Sequence, residues 1–185
     1  MKYPSAADIA EMKARGYDPT TIAEAEQLSR RWPKAQELCR AIEDAFRGVT
    51  LGRGVGLQEA QGLDDYADAA TCAAYRAKDE KDDWRRIPAE ALGQCNSSLS
   101  FFDAEGMRFH LPAYLIADVH GDYGFGMAFC LTYLSDHGIN RFALLSDAQR
   151  HVIRAFLLFI ADDPDYQFDR PDIHRALEEY WIEPA

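Results

Sequence analysis

The chain has 185 residues, 48% of them hydrophobic, which is enough to build a core without metal or disulfide staples. Its 31 acidic against 20 basic residues leave a net charge of −11, and the densest basic groups are the dipeptides Arg30-Arg31 and Arg85-Arg86. Such a field repels phosphate backbones and anionic membrane surfaces, so no nucleic acid and no membrane is expected as a partner, whereas a cationic protein is.

The pattern along the chain predicts an α+β fold, mainly α, with helices at both ends around a small antiparallel hairpin or three-stranded sheet, in one domain of residues 1–185. Residues 1–47 read as three helices. Ser5 caps the first, which Gly16 stops; Asp18 caps the second, with Pro19 in its first turn; Trp32-Pro33 separates the second from the third. In the third, Ala35, Leu38, Cys39, Ile42 and Phe46 recur at helical spacing. Residues 48–98 read as a glycine-bearing loop, a long alanine-rich helix over 64–83 and a short helical turn opened by Pro88.

Residues 99–185 begin with the predicted hairpin. Leu99-Ser100-Phe101-Phe102 and Met107-Arg108-Phe109-His110-Leu111 flank Asp103-Ala104-Glu105-Gly106, and Met107, Phe109 and Leu111 alternate with Arg108 and His110. Pro112 favours a helix start over 113–119. Residues 126–134 fit a third strand or a helix, with strand preferred. A capping box of Ser146 and Gln149 opens an amphipathic helix carrying Val152, Ile153, Phe156, Leu157 and Ile160, and a last helix follows Asp169-Arg170-Pro171.

Apolar runs such as residues 155–161 fall short of the roughly 20 residues that span a bilayer, and residues 1–16 carry charges where a secretory leader is apolar, so a cytoplasmic protein is expected. Cys39, Cys72, Cys95 and Cys130 lie too far apart for a zinc or redox motif and are expected as free, mostly buried thiols.

The sharpest local motif is Asp118-Val119-His120-Gly121-Asp122. It resembles the first metal-binding motif of calcineurin-like metallophosphatases, in which an aspartate and a histidine at a strand end hold one ion of a two-metal centre. That family also uses Gly-Asn-His and Gly-Asp-x-x-Asp motifs, and neither follows here. A looser grouping of His110, Asp118, His120 and Asp122 supplies residue types suited to a divalent metal or to proton transfer, if the fold brings them together. The plainer reading puts His120 and Asp122 in a solvated turn and His110 on the polar face of a strand. On that reading no metal and no cofactor is expected. Gly52-Arg53-Gly54-Val55-Gly56 lacks the Gly-Lys-Ser/Thr ending of a phosphate loop, and Asp162, Asp163, Asp165 and Asp169 lack the glycine and distal glutamate of a calcium loop; they are expected to cap helices and face water.

The segments Leu99-Ser-Phe-Phe-Asp-Ala-Glu-Gly-Met-Arg-Phe-His-Leu-Pro-Ala-Tyr-Leu115 and Phe142-Ala-Leu-Leu-Ser-Asp-Ala-Gln149, with the helix through Phe156-Leu157, resemble an uncharacterised family of small bacterial proteins over residues 33–181. The resemblance implies no established activity and no site residues. Two functions remain: a non-enzymatic, acidic interaction protein of the immunity or regulatory kind, which is preferred, and a small metal-dependent hydrolase centred on His110, Asp118, His120 and Asp122.

Overall fold

Capping and burial cut residues 2–182, the part described by the computed structural model, into ten α-helices: α1 (Ala6–Ala14), α2 (Pro19–Ala45), α3 (Leu57–Asp64), α4 (Ala69–Lys78), α5 (Ala89–Gln94), α6 (Ala104–His120), α7 (Ala128–Thr132), α8 (Asp136–Asn140), α9 (Asp147–Ala161) and α10 (Arg170–Glu179). Short 3-10 turns occupy Trp84–Arg86, Asn96–Ser100 and Pro164–Tyr166. No strand occurs among the described residues, so the fold is all-α and the expected α+β class is wrong.

The hairpin fails for a physical reason. Asp103 is an N-cap rather than part of a hairpin loop: its carboxylate accepts the Gly106 N–H at 2.8 Å and, from the glycine loop, the Val55 N–H at 3.0 Å. The helix then runs through Pro112, with Phe109, Leu111, Tyr114 and Leu115 all at 0% exposure. A helix buried on nearly every side has no polar face, and without one the 3.6-residue stripe that identifies a helix in sequence is missing. The accidental alternation of Met107, Phe109 and Leu111 was all that remained to read. The preferred strand over 126–134 is likewise helical, as α7.

Other boundaries move as well. Trp32-Pro33 does not divide the second helix from the third; α2 is continuous, with Pro33 inside it and the Ser29 carbonyl left without its helical donor. The expected long helix over 64–83 is shorter, because Asp68 caps α4 by accepting the Thr71 N–H at 2.7 Å and α4 ends at Lys78. Part of the expected loop is α3. Its first turn is held by Asp79, a buried carboxylate that accepts the Gln58 N–H at 2.8 Å and the Glu59 N–H at 3.2 Å.

The core is one connected cluster of side chains from Tyr3 to Trp181. Helix α6 packs against α2, α5 and the turn at Trp84–Arg86, while α9 lies between α2 and α10. The expected stripe of α9 is entirely buried, and its capping box is formed. Buried polar groups tie distant segments together: Trp84 Nε1 donates to the Phe46 carbonyl at 3.1 Å, Trp181 Nε1 to that of Leu131 at 2.8 Å and the Tyr3 hydroxyl to that of Val119 at 2.8 Å. No described helix is long and apolar enough to cross a membrane.

All four cysteines are buried and free. Alkylation of the native protein under reducing conditions is expected to modify them slowly, and all four are expected to react at once in denaturant. Rapid native labelling of any one would contradict its burial.

Candidate functional site

The Asp118 to Asp122 motif lies at the C-terminal end of α6, not at the end of a strand. Gly121 takes the left-handed conformation that ends a helix (φ 77°), and the Gly121 and Asp122 N–H groups bond to the Asp118 and Ala117 carbonyls at 2.9 and 2.8 Å. The motif's spacing therefore records helix capping.

Of the four candidate residues, His120 and Asp122 line one concavity, whereas His110 and Asp118 lie apart from them and from each other. His110 is wholly buried near the start of α6, its ring stacked on Phe102 at 4.3 Å and its Nδ1 bonded to the Gly106 carbonyl at 2.7 Å, not on the polar face of a strand as the sequence suggested. Burial holds its pKa down at about 4. His120 lies on another face, its Nε2 3.6 Å from the Cys39 sulfur and its ring 6.0 Å from Trp32. Asp122 is exposed. Asp118 is buried and accepts the Tyr166 hydroxyl at 2.6 Å and the Met127 N–H at 2.8 Å. Burial pushes its carboxyl above the ordinary range, and those two bonds pull it back. Among the described residues no three His, Cys, Asp or Glu side chains are placed to hold a metal ion.

Asp118 instead forms the floor of a cleft of about 540 Å³ between the end of α6, the loop that follows it and the start of α10. Tyr123, Phe125 and Tyr166 supply aromatic walls, and Asp165 and Asp169 stand with Asp118 as its acids. Tyr123 and Tyr166 are held almost wholly inside, whereas Phe125 is 65% exposed. Close packing fixes the shape: a Cβ on Gly126 would come within 2.8 Å of the Tyr166 hydroxyl oxygen, and its φ of 69° is one that side chains resist.

Charge in the cleft is unbalanced. Lys2 is the one cation among its described lining residues, and it is turned to Asp163 at 3.0 Å, with Asp165 farther off at 3.8 Å. Asp169 precedes α10, yet its side chain makes no capping bond and has no ion-pair or hydrogen-bond partner among the described residues. In sequence Asp165 and Asp169 read only as solvated caps. The sequence had no means of revealing the aromatic walls, since Tyr166 and Asp118 meet across 48 positions.

Residues 34–185 match the model of a family of unknown function, DUF6714. The chain belongs to this family. DUF6714 thus covers all of the segments on which the sequence resemblance rests, from Leu99 to Leu157, and it brings no activity with it. No curated protein and no solved structure gives a significant match. Within the DUF6714 region lie all the cleft's acids and aromatic rings; Lys2 lies before it.

The glycine-rich segment 52–56 is not a phosphate cradle. Arg53 N–H donates to Glu105 at 3.0 Å, the Arg76 guanidinium binds the Gly52 carbonyl at 3.0 Å and also the Gly54 carbonyl, and a Cβ on Gly54 would fall 2.4 Å from the Gly106 nitrogen. Gly54 lets the loop lie directly on the start of α6, and Gly56 lets it lie against the Asp79 carboxylate.

Proposed function

We propose that this protein is a non-catalytic interaction protein, of the immunity or regulatory kind, whose cleft receives a cationic segment of a partner protein. The observation that carries the reading is the pairing of an unpartnered Asp169 carboxylate with aromatic walls in one concave site of a chain whose net charge is −11. An arginine or lysine side chain entering the cleft meets carboxylates at its head and ring faces along its stem, the two interactions that stabilise a bound cation. The negative field of the whole chain speeds encounter with such a partner and rejects acidic ones.

Just beyond the cleft in sequence, the rings of Phe129 and Tyr133 stack at 5.3 Å while exposed by 71% and 58%. Exposed aromatic side chains of this kind are the residues that anchor protein interfaces. The reading carries with it the cytoplasmic setting expected from the sequence. The hydrolase alternative is left without an assembled site, since His110, Asp118 and His120 have separate environments.

Capture from the cells that make the protein tests the reading. The wild-type chain is expected to retain a basic protein that elutes as salt rises, and the Asp165→Asn/Asp169→Asn double variant is expected to lose it while keeping its fold. Retention of the same partner by that variant would remove the cleft from the account.

A further inference from the structure

A second concavity, of about 730 Å³, lies on the far side of the Asp118 to Asp122 turn, between the segment before α1, the middle of α2 and the end of α6. Its walls are the rings of Tyr3, Trp32 and His120, with centroid separations of 5.3 Å from Tyr3 to Trp32 and 6.0 Å from Trp32 to His120. Trp32 is 38% exposed, whereas Trp84 and Trp181 are 4% and 1% exposed. Trp32 therefore opens onto the groove that it lines. Its ring neighbours are fixed: Tyr3 by its hydroxyl bond to the Val119 carbonyl, His120 by the sulfur of Cys39.

The polar groups of this groove form a readable edge. Burial pushes the Cys39 thiol up to about 11, and its sulfur lies 3.6 Å from His120 Nε2. That contact occupies Nε2 and leaves Nδ1 with no partner among the described residues. Asp122, an acceptor with no side-chain partner among the described residues, lines the same groove, and so does Ser29, whose carbonyl Pro33 deprives of its helical donor. His120 and Asp122 also wall a smaller adjoining cleft of about 230 Å³ that contains Glu43.

We infer that this groove is a binding site for a flat, unphosphorylated nitrogen heterocycle of the nucleobase class, stacked on Trp32 and read at its edge by His120 Nδ1 and the Asp122 carboxylate. Stacking on an aromatic face is available to any such ring, while a hydrogen-bonding edge satisfies both polar side chains at once. Asp122 sets the charge preference, since a phosphate carried into the groove meets its carboxylate. The site is separate from the acidic cleft and stands or falls without it.

Titration with adenosine, guanosine, cytidine and uridine, followed by tryptophan emission and by calorimetry, tests the inference. At least one nucleoside is expected to bind saturably and to quench the emission of the half-exposed Trp32. Trp32→Ala and Asp122→Ala are each expected to weaken it by about tenfold or more, and Trp32→Phe to retain most of the affinity in calorimetry. The matching 5′-monophosphate is expected to bind more weakly than its nucleoside. No saturable binding by any of the four, or equal affinity in the Trp32→Ala protein with its fold intact by circular dichroism, overturns the site; tighter binding of the monophosphate overturns the class of ligand.

Discussion

Replacing Phe156 by alanine is expected to cost about 3–5 kcal/mol of folding stability, the range found when a buried aromatic ring is removed from a packed core. The residue is 0% exposed in the middle of α9, with Val152, Ile153, Leu157 and Ile160 beside it on the face that meets α2 and α10. A cavity at this junction loosens three helices together, because α9 is the element through which the long α2 and the C-terminal α10 are joined. The check is urea unfolding of both proteins followed by circular dichroism, with the slopes compared so that a change in the denatured state is not mistaken for lost packing. A loss below about 1 kcal/mol would mean that the ring is not in a tightly packed interior.

The second large effect is acid sensitivity centred on His110. Its ordinary pKa of 6.5 falls to about 4 in the fold because burial against Phe102 and Phe109 opposes the charged ring. Between those two values the unfolded chain binds the proton and the folded chain does not, so stability drops as pH falls through the window and is fully regained above it. A shift of this size corresponds to a change on the order of 3 kcal/mol. Asp118 and Asp79 act in the opposite sense: their carboxyls are raised by burial, so the folded chain takes up their protons first and acid favours it. The clean measurement is therefore a difference. His110→Phe keeps a flat ring against Phe102 without a titrating group, and wild type minus variant is expected to show stability lost progressively from about pH 6.5 to pH 4. Parallel pH profiles for the two proteins would show that the buried imidazole does not resist protonation.

His110 also illustrates what could be read from the chain and what could not. Helices with one wet face announced themselves: Ser5 and Gly16 bound α1, Ser146 and Gln149 open α9, and the apolar stripe of α9 is the one that is buried. Helix α6 was hidden because its burial on nearly all sides removes the contrast between apolar and polar positions, and because Pro112, which discourages helix in a free chain, is accommodated by packing around it. In α2 the same override carries the helix past Pro33, where Arg31 reaches the Phe159 and Asp162 carbonyls at 2.9 and 3.1 Å and fastens α2 to the end of α9.

The site divides along similar lines. Asp118 and His120 stood out in sequence, yet the spacing that drew attention to them is that of a helix end closed by a left-handed glycine. What they do depends on partners far away in the chain, Tyr166 for Asp118 and Cys39 for His120, and no local pattern encodes contacts across 48 and 81 positions. The proposed function rests on charge and not on that motif, since an excess of acid is a property of composition and does not depend on where helices begin and end.

The central claim, that the cleft bounded by Asp118, Asp165 and Asp169 is where a cationic partner docks, is tested most directly by nuclear magnetic resonance of the ¹⁵N-labelled chain during titration with an arginine- and lysine-rich peptide. The amide shifts are expected to concentrate at Gly121, Gly124, Phe125, Gly126, Tyr166 and Asp169, to saturate, to weaken as salt rises, and to disappear in the Asp165→Asn/Asp169→Asn protein. Shifts spread evenly over the acidic surface, or the same shifts in the double variant, would contradict the claim and leave the net charge as a property of solubility alone.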